Sequence, residues 1–429
     1  MDQQRQLFSH LLRRAGFGAT PTELDQYVRL GYDGAVDRLL NFDHVPDDYP
    51  AYDTSEDPTR GRKGIGEVQL WWLNRMLTTP RPLQEKMTLF WHGHFATAVS
   101  KVNSIPWLYN QNQLFRQNAL APFQTILSAV SKDPAMMFWL DSQTNRKGSP
   151  NENYAREVME LFTMGVGTYA EQDVKEGARA LTGWTVKRNE ATSTFVPARF
   201  DDGIKNYLGH SGNLGLEDVV SILASSPNTA SFLGRKLARF FVSDSPDDGT
   251  IGAIANTFAS SGGDMKAVMR TVLTCDAFKD PGNFMNKITS PVEFTITNLK
   301  LLGAKSVDQS VLGALRNMGQ ELFNPPNVAG WPGNRSWLNT DTIFTRLNFA
   351  DRIVSSRNTD GPTYVDPASL LGSATDAVGT FVNLLTDGFM ADANRQILQS
   401  YVSGTARAAD AKMRGLVHLI LSTPMAHMN

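Results

Sequence analysis

The sequence predicts an all-α protein, many helices packed round one core and compatible with an (α/α)-toroid-like arrangement, with a small β-hairpin excursion near 190–210. Three observations carry this. Apolar residues recur at helical spacing through most of the 429 residues. Start signals such as Thr20-Pro21, Pro82 and Ser290-Pro291 punctuate that pattern. Only the stretch 185–214 breaks the pattern, alternating around Thr194–Phe200 among turn-forming Gly, Asn and Asp. About fifteen to eighteen helices follow, far above the usual helical third. No fixed-period repeat supports a solenoid. One domain over 1–429 is expected, divisible into a helical half (1–184), the hairpin insertion (185–214) and a second helical half (215–429).

Composition narrows the class. Hydrophobic residues at 41% and charged residues at 20% fit a globular chain with a large core. A net charge of -2 argues against a nucleic-acid or anionic-membrane surface, which needs a basic field. No apolar run approaches the roughly 20 residues of a membrane span. The single cysteine, Cys275, excludes a disulfide framework and reads as a packing thiol. The opening MDQQRQLFSHLLRR is a charged amphipathic helix without a signal core. The protein is therefore cytoplasmic, or secreted or periplasmic with an export signal removed.

In chain order, residues 4–42 read as three short helices, with His10 packing on an apolar face. The Pro- and Asp-rich stretch 43–63 reads as a long loop walling a cleft or lacking order. Residues 64–132 return to helices, including PLQEKMTLFWHGHFATAV with Pro82 in its first turn. Helices resume over 215–303 and again from 340, with His418 on an apolar face.

The stretch Asp141–Trp184 is the densest in groups that can do chemistry. Asn151 caps a helix from Glu152 to about Thr163. Asn153, Arg156, Glu157 and Glu160 share one stripe of that helix, and Arg156 can sit between Glu152 and Glu160. The bland reading is a solvated face of local ion pairs. The sharper reading is a general acid–base pair. One carboxylate stays ionised beside its cation, and the other is raised by burial and by its neighbour. Glu157 and Glu152 are the first candidates, with Asp141 and Glu160 behind them. Asn153 and Arg156 would orient them, and Trp139, Tyr169 and Trp184 would supply sugar platforms.

His92 and His94, in FWHGHFAT, invite a metal reading with Glu152, Glu157 or Glu160 as third ligand, Glu157 foremost, and a divalent transition metal as cofactor. On a helix, however, the two imidazoles point roughly 200° apart. One histidine in a cleft and the other buried is the competing reading, and no cofactor is then needed. The rigid FNPPNVAGWPGNRSWLNT offers Asn327, Trp331 and Trp337 as a substrate-binding wall or as a packing loop. YLGHSGNLG matches no phosphate-binding pattern, which leaves His210 on a loop or cleft rim. GxSxG and HExxH are absent, which removes the commonest hydrolase signatures.

Four of these stretches, HLLRRAGFGATPTEL, FWHGHFAT, PNENYAREVMELFTMGVGTYAEQDVKEGARALTGW and FNPPNVAGWPGN with SWLN, together resemble the bacterial DUF1800 family. The resemblance implies a helical protein, in a family whose members often carry export signals and whose function is unknown. This chain departs from it in lacking a visible signal and in ending PMAHMN. The expectation is a carbohydrate-active enzyme that cleaves a polysaccharide, one containing amino sugars among the candidates, in the manner of a glycoside hydrolase. The alternatives are a metal-dependent oxidoreductase or hydrolase, and a non-catalytic glycan-binding or assembly protein.

Overall fold

The computed structural model describes residues 1–54, 61–355, 365–404 and 409–429. The centre of the loop expected at 43–63 lies outside these. Among the described residues there are 23 α-helices, more than the sequence reading because short pieces such as Val99–Val102 and Asp276–Lys279 stand as separate helices. The protein is all-α, with two small antiparallel hairpins among the described residues, both in the stretch expected to leave the helical pattern. Trp184–Val186 pairs with Ser193–Phe195, and Lys205–Tyr207 pairs with His210–Gly212. The second hairpin turns through Leu208 and Gly209, both at positive φ, as its two-residue loop demands.

Caps set many helix starts. Thr20 and Glu23 form a reciprocal box at Pro21–Arg29, and Ser290 and Glu293 do the same at Pro291–Leu301. Packing then fixes the rest. One apolar cluster gathers Leu11, Met87, Trp91, Phe123, Val158 and Phe241. A second gathers Trp72, Leu89, Leu108, Ile296, Phe349 and Val417. They meet at Trp139 and along the helix Pro82–His94, whose residues divide between them.

That helix is buried on every side from Leu83 to His92. A helix so placed must satisfy its polar residues internally, or each costs several kcal/mol. Glu85 accepts from Arg75 Nε at 2.6 Å, Arg116 Nε at 2.6 Å and Trp72 Nε1 at 2.9 Å. Lys86 pairs with Glu293 and donates to the Gly16 carbonyl at 2.9 Å. Gln84 donates to the Arg116 carbonyl.

The helix Gln3–Arg14 is tied to a turn far along the chain. Arg13 holds Asp387 through two bonds of 2.9 Å, and Ser9 Oγ donates to the same carboxylate at 2.8 Å. Arg14 is also buried and donates to backbone oxygens of Phe241, Val242, Asn283 and Asn429. His10 stacks on Phe284 with centroids 4.5 Å apart, a packing residue as its pattern predicts. Cys275 is half-buried just past the helix Met265–Thr274.

Candidate functional site

Of the candidate carboxylates, Glu157 and Glu160 lie on the helix Asn153–Glu160, shorter than expected at both ends, Glu152 is its N-cap, and Asp141 stands in the loop before it. Asn151 still accepts from the Asn153 N–H, at 3.0 Å. Arg156 does sit between carboxylates, but its second partner is Glu171 at 2.5 Å, with Glu152 at 3.4 Å. Glu160 accepts from the Tyr169 hydroxyl at 2.5 Å. Asp141 pairs instead with Lys101 at 2.9 Å. Its backbone is left-handed, at φ 59°. Burial, then the nearby Glu160, pushes the half-buried Glu157 carboxyl up. Glu152 borders a shallow polar hollow of about 680 Å³ with Arg146 and Arg199. Asn153 is exposed, and Trp139 and Trp184 lie under the ammonium groups of Lys101 and Lys132. Much of this face is therefore the solvated ion-pair surface of the bland reading.

The histidines separate as helical geometry requires. His92 Nε2 accepts the Phe323 N–H at 3.0 Å, and burial pushes its imidazole down to about 3. This bond secures Phe323, which is left-handed at φ 62° and whose carbonyl accepts from Val99 N–H at 2.8 Å. His92 is thus an anchor for the chain entering the aromatic loop. His94 faces the other way. Its Nε2 meets the Phe162 carbonyl at 3.0 Å, and its Nδ1 meets Lys236 Nζ at 3.2 Å. Burial, then the Lys236 charge, holds it well below the usual imidazole range. Among the described residues no three His, Cys, Asp or Glu side chains form a metal-ligand group. The set His92, His94 and Glu157 is therefore not assembled.

The aromatic loop seats itself on this helix. Gly330, at φ 80°, lies so close that a Cβ there would stand 2.2 Å from the Gly93 carbonyl oxygen. Asn327 Oδ1 accepts from Ala329 N–H and shapes the turn before it. Trp331 then rests 5.5 Å from the His92 ring. Between loop and helix opens a cleft of about 250 Å³, near the lower end of ligand pockets. Trp331, Trp337, Phe90 and Phe240 give it aromatic walls, and His94, Lys236, Arg239, Lys287 and Glu293 give it polar ones.

Electrostatics single out the polar side. Burial pushes Lys236 down to about 8. Burial alone would raise Glu293, but Lys86 and Lys287 overcome it and bring the carboxyl down to about 2. Glu293 is thus a fixed anion, further held by the Ser290 N–H at 2.8 Å. Of the expected site residues, His94, Trp331 and Trp337 converge here, and the four carboxylates do not line it. Lys236, Arg239, Lys287 and Glu293 were missed. On its helix Lys236 reads as a solvent-facing cation, and Ser290-Pro291-Val292-Glu293 reads only as a cap.

A family model described as "Protein of unknown function (DUF1800)" matches residues 10–427. No curated protein and no solved structure matches the chain.

Proposed function

We infer the function from this chain's own geometry, because the chain belongs to the DUF1800 family, whose function is unknown. We propose a carbohydrate-active enzyme whose polysaccharide substrate places one sugar unit in the cleft between the aromatic loop and the helix Pro82–His94. The observation that carries this is the pair of indoles, Trp331 and Trp337, lining one cleft with buried polar groups. Indole faces suit the apolar faces of sugar rings, and polar groups orient the hydroxyls.

General acid–base work needs a group whose proton affinity lies near the working pH. In the cleft Lys236, at about 8, meets that need. As an ammonium it would protonate a leaving oxygen, and as an amine it would take a proton from water. The His94 lone pair steadies it at 3.2 Å. A second reading keeps the chemistry on the helix Asn153–Glu160. Glu157 is half-buried and raised in pKa, as a proton donor requires, and Glu152, held by Arg156, would be the second carboxyl group. A polysaccharide substrate fits a secreted or periplasmic protein.

A reducing-end assay over neutral, amino-sugar and acidic polysaccharides tests both. Trp331→Ala should raise KM about tenfold, roughly 1.4 kcal/mol. Lys236→Met should abolish kcat with the fold intact. Loss of cleavage in Glu157→Gln and Glu152→Gln, with Lys236→Met unaffected, would move the chemistry to the second reading. Glycan binding without cleavage by the wild type would sink both in favour of a non-catalytic glycan-binding or assembly protein.

A further inference from the structure

The cleft carries more positive charge than its fold uses. Lys287 is 7% exposed and lines the cleft, yet among the described residues its ammonium makes no hydrogen bond. The nearest carboxylate oxygen, Asp244 Oδ1, stands 3.9 Å away and is itself buried without a hydrogen-bond partner. Glu293 does not answer the need, because Lys86 and the Ser290 N–H already hold it. Lys236 reaches the cleft from the helix Pro227–Phe241. Arg239 follows three residues later on the same helix, exposed and without an ion pair among the described residues. Three cations therefore line the cleft against one anion, which is already shared.

The surroundings deepen the excess. Arg14 and Arg346 are buried close enough to feel Glu293, and both donate only to backbone oxygens or, for Arg346, to the Thr289 hydroxyl as well. An ammonium that meets water only at a cleft can exchange that water for a charged acceptor. A molecule that keeps one aimed into a cleft has left room for an acceptor from outside. Charge-assisted bonds to a ligand oxyanion would complete Lys287 and use the exposed fork of Arg239.

We propose that this cleft is an oxyanion receptor, in which Lys287, Lys236 and Arg239 seat a carboxylate or a compact tetrahedral oxyanion of the ligand. The substrate class is then an acidic sugar, a uronate or a sulfate or phosphate ester, with its ring against Trp331 and Trp337. The sugar part rests on the function proposed above, and the anion part does not. Lysine protonation sets its pH range, since burial lowers both Lys287 and Lys236.

Titration calorimetry of the full chain with sodium sulfate, D-glucuronate and D-glucose tests it. Glucuronate and sulfate should each bind at least ten times more tightly than glucose. Glucuronate tighter than sulfate assigns the charge to a sugar carboxylate, and the reverse assigns it to a tetrahedral oxyanion. Lys287→Met should weaken anion binding at least tenfold. Arg239→Ala, a surface change without folding risk, should weaken it about threefold, and Lys147→Ala, an exposed cation outside the cleft, should not. Equal binding of glucuronate and glucose, or anion affinities unchanged in both Lys287→Met and Arg239→Ala, overturns the receptor. Anion binding with no polysaccharide cleaved leaves the receptor standing and removes the enzyme. Cleavage confined to neutral polysaccharides does the opposite.

Discussion

At Gly330 a single missing side chain decides whether the cleft has a wall. Its φ of 80° is a conformation that costs an L-residue about 1 kcal/mol or more, and the Gly93 carbonyl occupies the place of a Cβ. Gly330→Ala should lower the melting temperature by several degrees and weaken every ligand of the cleft, read by thermal melting and by titration of the same sample. A normal melt with full affinity would show that the loop does not need this seat. The neighbouring histidines illustrate what one residue's chemistry hides. His92 and His94 look alike in sequence, yet one accepts a loop N–H and the other bridges a lysine to a carbonyl. Helical periodicity foretells that they diverge. It does not foretell their partners, which are 231, 68 and 142 residues away in the chain.

Two helices, Pro82–His94 and Pro227–Phe241, bring most of the polar side of the cleft together. Oxyanion affinity should follow the state of Lys236. Below about 8 its ammonium is intact, and as pH rises through that value the charge and the affinity are lost together. The fall should not exceed about tenfold per pH unit for one proton. An affinity that is flat from pH 6.5 to 9.5, roughly, would remove Lys236 from the receptor. The elements themselves were largely legible. Local chemistry sets Thr20 with Glu23, Ser290 with Glu293, and the hairpin region, and local chemistry is what a sequence displays. The receptor was not legible, because a lysine on a helix or in a loop reads as solvated wherever it points. Only tertiary packing turns Lys236 and Lys287 inward. The aromatic loop stands between the two: its prolines, indoles and amides read equally as a wall or as packing, and its indoles line the cleft.

Across the whole molecule, the buried histidines agree in sign and, among the described residues, outnumber the one strongly opposed carboxyl, Asp133, which burial raises to about 7. The buried His10, His92, His94 and His427 are all held below the usual imidazole range, His92 at about 3 and His427 at about 4. Their unfolded forms bind protons near 6.5, so the stability they contribute is complete above that pH and is lost as pH falls. Glu293 has the same sense. Its folded value of about 2 lies below the unfolded 4.5, which adds about 3 kcal/mol above pH 4.5 that disappears toward pH 2. Melting temperature should therefore decline from about pH 6.5 downward and steepen below about 4.5. In Glu293→Gln the whole curve should drop, because Lys86 loses its carboxylate, and the steepening should be blunted. A melting temperature that is constant between pH 7 and 4, roughly, would contradict the buried neutral histidines.

The clasp between Arg13 and Asp387 also sets an order of events. The arginine leaves the ribosome 374 residues before the carboxylate that will neutralise it. At about 5–20 residues per second, that is tens of seconds during which a guanidinium destined for the interior has no acid to meet. The helix Gln3–Arg14 can form early, but it cannot dock in its final place until the turn at Asp387 exists. Helical proteins owe rapid folding to contacts between near neighbours in the chain. Here that advantage ends with a latch that closes only after the 374 residues between its two halves have been made.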